Sequence, residues 1–314
     1  MNTEQSELRS MGFFGTYKEA YKITVSWKKI FSQITLALLL PLSILYLSQI
    51  QISNFIQTKS YRRKETSRWI ALFITEVIYM VLLLIFSLLS TSSVVYAIAC
   101  IYTSNEITFK KVIIVCRKVW KRLLVTFLCC FLIVALYTSV ALGIVFLFAV
   151  LTLGPESEGA NKVLIFIICL SIPCFIGLAY INVVWHLASV ISVLQKSYGR
   201  KALKKSMNLI KGKIWASLAM FTTLEICGSG ILAIFSVLVV YGSIVGTVGR
   251  VGVGILCYLL LPIYFHFALV IQTVVYFVCK SYHHEGIDKL AEDLEISFVP
   301  LDMDKDAHLE QVPV

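Results

Sequence analysis

The stretch LLVTFLCCFLIVALYTSVALGIVFLFAVLTL, residues 123–153, contains no charged side chain and no proline. A helix needs about 20 mostly apolar residues to cross the hydrocarbon core of a bilayer, so this stretch is long enough to do so. Five further stretches of similar character occur along the 314 residues. The six predicted spans are Ile30–Ile50, Ile70–Ala99, Leu123–Leu153, Val163–Val193, Ala216–Val245 and Val251–Val278. Continuous apolar runs of this length exclude a β-barrel, whose strands alternate in short segments.

The overall composition agrees with these spans. Apolar residues make up 58% of the chain, charged residues make up 15%, and the mean hydropathy is +0.84. Soluble domains have about 45–50% apolar and about 25% charged residues, so an ordinary soluble domain is excluded. The sequence therefore predicts an all-α, polytopic membrane helical bundle with six transmembrane helices.

The net charge of +10 is distributed unevenly along the chain. Residues 1–282 carry +17, and residues 283–314 carry −7. This asymmetry predicts a cytosolic, largely disordered acidic tail and does not indicate a nucleic-acid partner. The predicted spans leave 21 Lys and Arg residues on one side of the membrane and 7 on the other, five of these in the loop 51–69. The positive-inside rule then places both termini in the cytosol. We expect the membrane to be an endomembrane, such as that of the endoplasmic reticulum, or the plasma membrane.

An internal repeat is indicated by three tryptophans that each precede an odd-numbered span. Trp27, Trp120 and Trp215 lie 93 and 95 residues apart, and basic residues match at the same offsets. The predicted unit is a basic interfacial helix followed by a helical hairpin, and it occurs three times, at about 13–102, 106–198 and 199–282. A cytosolic lead, 1–29, therefore precedes a six-span membrane domain, 30–282.

The predicted interfacial helices have one apolar and one basic face. We expect them to lie in the plane of the membrane surface, with their apolar faces in the acyl chains. Their cations would then contact anionic headgroups on the cytosolic side, and they also offer a docking surface for membrane-protein partners. The candidate lipid-surface residues are Lys110, Lys111, Arg117, Lys118, Lys201, Lys204, Lys205 and Lys211.

Polar side chains inside predicted spans are the candidate functional residues, because burying such groups in a bilayer is costly. They are Glu76, Asn182, His186, Glu225 and His266. Glu225 and His266 lie at similar depths in the last two spans, so we expect a contact between them. Such a pair relays protons or binds a cation, or else it holds two helices together through hydrogen bonds.

Motifs of catalysis are missing from the sequence. It contains no HExxH motif, no phosphate-binding loop and no dinucleotide fingerprint, and its nine cysteines lack metal-ligand spacing. We therefore expect no enzyme activity and no cofactor. Two functions remain open. The first is a membrane-organising protein that binds partners or anionic lipid, and the second is a transporter or channel with a polar centre at Glu225 and His266.

Two segments resemble a plant family of multi-pass membrane proteins. The first is HLASVISVLQKSYGRKALKKSMNLIKGK, residues 186–213, and the second is Tyr102–Phe127, which contains ITFKK and VWKRL. The likeness covers residues 10 to 282, and Gln195 stands where the family has an acidic residue. The resemblance implies a plant source and the six-span topology. Because that family has no assigned biochemical activity, it transfers no catalytic residue.

Overall fold

The described part of the chain is helical throughout. A computed structural model describes residues 10–59, 65–103, 107–152, 158–242 and 246–283, without the side chains of 57–59, 65–68 and 158–161. No strand occurs in these ranges. The predicted acidic tail lies outside the described residues, except for His283 at its start. The centre of the loop 51–69 also lies outside them.

Nine α-helices follow one another along the described chain. They are α1 Phe13–Ser26, α2 Lys28–Ile34, α3 Leu40–Lys59, α4 Glu65–Tyr102, α5 Phe109–Thr152, α6 Glu158–Leu194, α7 Arg200–Ile210, α8 Ile214–Ile234 and α9 Thr247–Tyr282. Two π-helical segments, Thr35–Leu39 and Phe235–Tyr241, lengthen α2 and α8 respectively.

Six helical segments are long and apolar enough to cross a membrane, which confirms that part of the prediction. They are Lys28–Ile56, Trp69–Tyr102, Phe109–Thr152, Lys162–Leu194, Ile214–Tyr241 and Thr247–Tyr282. At 1.5 Å per residue, the longest of them measures about 66 Å, roughly twice the thickness of a hydrocarbon core. Parts of these helices therefore extend well beyond the apolar layer of any bilayer that they cross.

The first span contains Pro41 and nevertheless remains helical. A proline has no backbone N–H, so it leaves one carbonyl of the preceding turn without its helical partner. The chain widens into a π-turn over Thr35–Leu39, where the N–H of Leu40 donates to the carbonyl of Thr35. Such a turn shifts the hydrogen-bond register by one residue, which accommodates the proline without breaking the span.

The helices pack tightly at one end of the bundle, the end that carries α1 and α7. The buried core there comes from the last turns of α4, α6 and α9, with long buried runs such as Val94–Cys100 and Val270–Cys279. We call this region the packed end. At the opposite end α5 and α6 project away from the other helices, and large apolar side chains such as Phe146, Leu151 and Ile172 are exposed. Apolar surface on this scale is typical of a face that lipid or protein covers.

The predicted interfacial helices differ from one another in the structure. α1 and α7 are separate helices, whereas the predicted second one is the first part of the unbroken 44-residue helix α5. The turn between α6 and α7 requires Gly199, because its φ of 60° and ψ of −132° lie in a region that favours glycine. The N–H of Gly199 donates to Thr126 Oγ1 over 2.9 Å and ties this turn to α5.

Candidate functional site

Three of the predicted polar residues come together between α6 and α8. Asn182 and His186 are four residues apart, so they lie on the same face of α6. Both reach the carboxylate of Glu225 on α8. Asn182 Nδ2 donates to Glu225 Oε1 over 3.1 Å, and His186 Nε2 lies 3.8 Å from the same oxygen. The second distance is that of an ion pair and is longer than a hydrogen bond.

Gln272 on α9 completes this group, and the sequence analysis did not single it out. Its Oε1 lies 3.0 Å from His186 Nδ1, and its Nε2 donates to the carbonyl of His186 over 2.9 Å. The same Nε2 donates to Ser189 Oγ over 2.6 Å. The side chain of Gln272 is 3% exposed. A primary amide within a long apolar run is a signal in the sequence, since a polar group there needs partners.

These contacts fix the tautomer of His186. Because a backbone carbonyl only accepts hydrogen bonds, the nitrogen end of the Gln272 amide faces the His186 carbonyl, and its oxygen faces Nδ1. An amide oxygen only accepts as well, so Nδ1 carries a hydrogen. His186 Nε2 is therefore the ring nitrogen that faces Glu225.

Stacking against an aromatic ring also restrains the imidazole of His186. It lies parallel to the ring of Phe221, with an interplanar angle of 1° and a centroid separation of 4.7 Å. Phe221 is fully buried and lies one turn before Glu225 on α8. The stacking and the Gln272 hydrogen bonds together restrict rotation of the imidazole, so Nε2 stays directed at the carboxylate. We call Asn182, His186, Ser189, Glu225 and Gln272 the polar cluster.

The polar cluster forms part of the wall of a cavity of about 530 Å³. Residues from α3, α4, α5, α6, α8 and α9 line this space, so all six long helical segments contribute to it. Its hydroxyl-bearing and aromatic wall residues include Tyr46, Ser87, Ser90, Thr91, Thr126, Phe127, Trp185, Ser229, Tyr264 and Phe265. Glu225 is the one carboxylate among the described residues of this wall, and no lysine or arginine is among them.

Two features of the wall bear on its use. The Glu225 side chain is 60% exposed, so a molecule in the cavity can reach its carboxylate. Ser90 is 1% exposed, and its Oγ has no hydrogen-bond partner among the described residues. A buried hydroxyl without a partner costs about 1–3 kcal/mol. Because this oxygen is closed to solvent, the cost falls on the protein, and the cavity does not offer this hydroxyl group to a ligand.

Glu225 on α8 and His266 on α9 do not make the expected contact. His266 lies on the side of α9 that faces away from α8. The α8 face that carries Gly228, one turn after Glu225, packs closely on Tyr264 of α9. A helix turns about 100° per residue, so His266 lies about 200° around α9 from Tyr264. Similar depth in the bundle was predicted from the sequence, but depth does not determine the direction of a side chain.

His266 instead holds the N-terminal helices to α9. Its Nε2 lies 3.3 Å from Thr24 Oγ1, and its Nδ1 lies 3.3 Å from Thr35 Oγ1. Thr24 Oγ1 donates to the carbonyl of Ala20, so it accepts from Nε2–H. A neutral imidazole satisfies both threonines, and the ring is 5% exposed between Phe31 and Phe267. His266 thus forms a structural contact on the far side of α9 from the polar cluster.

Glu76 lies apart from the polar cluster. Its Oε2 accepts a hydrogen bond of 2.6 Å from Gln49 Nε2, which joins α4 to α3. Neither residue lines the cavity. Among the predicted intramembrane residues, the structure therefore groups Asn182, His186 and Glu225, and it separates Glu76 and His266 from them.

The predicted lipid-surface residues lie at the packed end, and most of their side chains are exposed. Lys205 is half-buried, whereas Lys110, Lys111, Arg117, Lys118, Lys201, Lys204 and Lys211 are exposed. The apolar face predicted for α7 and the residues after it is only partly turned outward. Leu203 and Ile210 are buried, Met207 and Ile214 are exposed, and Ser206 Oγ donates to the carbonyl of Val184. The part of this face that α6 and its neighbours cover is not free to enter acyl chains.

No group of three or more potential metal ligands occurs among the described residues. A family described as "Domain of unknown function (DUF8558)" matches residues 1–312, almost the whole chain. No curated protein and no solved structure matches the sequence.

Proposed function

We propose, for a chain that belongs to the family described as a domain of unknown function (DUF8558), that its six long helices cross a membrane and enclose a binding site for a small polar solute. This places the protein in the transporter or channel class, with its polar centre at Glu225 and His186. The proposal replaces the His266 partner expected from the sequence with the one that the geometry favours.

The observation that carries the proposal is the cavity of about 530 Å³ with the polar cluster in its wall. Small-molecule sites are concave, about 300–1,000 Å³ in volume, mostly apolar and equipped with a few polar groups that fix orientation. Polar side chains at the centre of an apolar bundle are also a frequent mark of solute and ion pathways. A purely structural bundle has no need of a carboxylate that is 60% exposed in the wall of such a cavity.

The proposal keeps both termini in the cytosol and includes no enzyme activity or cofactor. The cations at the packed end favour this orientation, because lysine and arginine accumulate on the cytosolic side. The proposed location is an endomembrane, such as that of the endoplasmic reticulum, or the plasma membrane. A plant source and a threefold repeat remain predictions from the sequence.

A cavity-filling substitution tests solute binding. Ser229 lines the cavity and is exposed, so Ser229→Phe reduces the free space without disturbing the packed end. We expect cells that express the wild-type protein to differ in small-solute content from cells that express Ser229→Phe at equal protein level. Ser171→Phe is the matched control, because Ser171 is exposed on α6 away from the cavity. Identical solute profiles for wild type and Ser229→Phe would overturn the proposal.

A second candidate function is the binding of anionic lipid or an acidic protein partner at the packed end, by which the protein would organise the membrane around it. The observation that favours it is the accumulation of exposed cations there. Arg200, Lys201 and Lys204 on α7 and Lys211 directly after it are exposed. Each cation near an anionic leaflet contributes about 1 kcal/mol. In this second function, the lysines of α7 contact lipid headgroups while the helix stays packed against the protein. The helix itself does not insert into the bilayer.

Lipid retention tests this second function. The full chain is purified in detergent from a mixture of phosphatidylserine and phosphatidylcholine, and the bound lipid is quantified by mass spectrometry. We expect phosphatidylserine to be enriched, and the triple variant with Lys201, Lys204 and Lys211 changed to Gln to lose most of the enrichment. Lys162→Gln, at the opposite end, serves as the control. Equal enrichment in the triple variant and the wild type would rule out a role for these lysines.

A further inference from the structure

The charge balance of the cavity points to the class of its ligand. We propose that the cavity binds a monovalent organic ammonium ion, and that this ion displaces the proton held between Glu225 and His186. The inference rests on the proposed function of the cavity and specifies its substrate and its coupling.

The fixed charges of the wall select a cation. Glu225 is the only carboxylate among the described lining residues, and no lysine or arginine accompanies it there. When His186 is neutral, the cavity therefore has a net charge of −1. An anionic ligand would meet this carboxylate without a permanent counter-charge, which is unfavourable in a medium of low dielectric constant. A cation instead replaces the charge that His186 loses.

The aromatic wall selects an organic cation over a hydrated metal ion. Tyr46, Phe127, Trp185, Tyr264 and Phe265 surround the same space. Aromatic faces attract ammonium groups, and this attraction grows when both partners are shielded from water. Calcium and magnesium take six or more oxygen ligands, several of them carboxylates, whereas Glu225 is the one carboxylate in the described wall. The volume of about 530 Å³ also exceeds the need of a bare ion.

The hydroxyl groups of the wall supply a second point of recognition. Ser87 and Thr91 on α4 are half-buried and line the cavity. An ammonium group has several N–H donors and no acceptor. One donor can therefore reach the carboxylate of Glu225 while another reaches a hydroxyl group on the α4 side of the cavity. The two positions come from different helices, so a bound ligand bridges α4 and α8.

The proton inventory links binding to proton release. Gln272 keeps a hydrogen on Nδ1 of His186, so the Nε2 proton is the one that leaves. In the proposed empty state, the pair consists of imidazolium and carboxylate with a net charge of zero. The ammonium ion enters with charge +1, the Nε2 proton passes to water or buffer with charge +1, and the neutral imidazole remains. The total charge of the site is conserved, and no bond other than N–H is broken.

Few other titratable groups face this pair. Tyr46 on α3 and Tyr264 on α9 line the cavity, and their phenols carry no charge near neutral pH. The wall residues contributed by α4 and α5 are hydroxyl-bearing or apolar and do not ionise in that range. Proton release near neutral pH is therefore assigned to Glu225 and His186.

Calorimetry with a matched pair of probes tests the inference. The full chain in lipid nanodiscs is titrated at about pH 6, below the ordinary histidine pKa, with phenethylammonium and with its neutral isostere 2-phenylethanol. Repeating the titration in two buffers of different ionisation enthalpy gives the number of protons released. We expect about one proton per ammonium bound, and an affinity for phenethylammonium at least about tenfold above that for 2-phenylethanol.

Two variants separate this role from a structural one. Glu225→Gln should weaken phenethylammonium binding by about tenfold or more and abolish proton release, while 2-phenylethanol binding stays unchanged and shows that the cavity is intact. Glu76→Gln is the control, because Glu76 is an intramembrane carboxylate outside the cavity wall. It should bind and release protons as the wild type does.

Each outcome is decisive. Equal affinity for both probes without proton release would overturn the cation inference and leave a site for neutral solutes. Binding of neither probe to the wild type would also overturn it, and the Ser229→Phe comparison would then decide separately whether the cavity has any solute. Unchanged proton release in Glu225→Gln would refute the assignment of the proton to this pair.

Discussion

The buried amide of Gln272 gives the sharpest prediction of stability. Gln272→Leu keeps the approximate volume of the side chain and removes all three of its hydrogen bonds to His186 and Ser189 on α6. We expect the free energy of unfolding to fall by about 2–4 kcal/mol. The three lost hydrogen bonds contribute to this decrease, and so does the Nδ1–H of His186 that is left without an acceptor.

The magnitude follows from the environment of each bond. Side-chain hydrogen bonds between membrane helices average about 0.6 kcal/mol and reach about 1.7 kcal/mol, so three of them give about 2 kcal/mol. The variant also leaves the Nδ1–H of His186 without its partner, and an unsatisfied donor costs about 1–3 kcal/mol. The ring is only partly exposed, with 30% of its side-chain surface accessible, so the smaller end of this range applies.

A neighbouring residue provides the control. Thr273 is fully buried beside Gln272 on α9, and its Oγ1 donates only to the carbonyl of Leu269 on the same helix. Thr273→Val therefore removes one intrahelical bond and no interhelical one, and it should cost less than about 1 kcal/mol. Both variants are compared by reversible unfolding in mixed micelles of increasing SDS content, followed by tryptophan fluorescence. A Gln272→Leu effect equal to that of Thr273→Val would refute the reasoning.

Three further predictions concern the turns and the N-terminal helices. Gly199→Ala should lower the free energy of unfolding by about 1–3 kcal/mol in the same assay, because its backbone conformation is one that side chains rarely adopt. Thr24→Val combined with Thr35→Val removes both hydrogen bonds of the buried imidazole on α9, so amide exchange in α1 should accelerate several-fold. Burial and, to a lesser degree, the nearby thiol of Cys227 raise the pKa of Tyr17 above its ordinary value. The folded state thus favours the protonated phenol, and α1 should loosen as the pH rises above about 10.

Each of these predictions has its control. Gly230→Ala adds a methyl group in open space within α8 and should leave stability unchanged or slightly higher; equal loss in both glycine variants would contradict the turn argument. Ser32→Ala, at an exposed position of α2, should leave amide exchange in α1 unaffected. Tyr17→Phe lacks the ionising phenol and should abolish the loosening at high pH, so persistence of that loosening would show that another group causes it.

The sequence predicted the elements well, because element type depends on properties that can be counted along the chain. Runs of about 20 apolar residues identify spans, and the six long helices follow these runs. It also identified the costly polar groups, since Asn182, His186 and Glu225 stand out against their apolar surroundings. Gln272 could have been added to them by the same criterion.

The direction of each side chain was not available from the sequence. Glu225 and His266 were expected to meet because their depths match, but the rotation of α9 about its own axis places Tyr264 toward α8 and His266 toward α1 and α2. The sequence also could not show that protein buries part of the apolar face of α7. An amphipathic pattern indicates that one face is buried, but not whether lipid or protein buries it, and here α6 and its neighbours do so.

The sequence alone thus determined the six apolar helices, the basic end of the bundle and the set of candidate polar residues, because each follows from composition over a stretch of one chain. Only the tertiary structure decided that Asn182, His186, Glu225 and Gln272 belong to one cluster beside a cavity. The physical reason is that a helix turns about 100° per residue. A small difference in how a helix packs therefore redirects a side chain to another partner without leaving any trace in the hydropathy pattern.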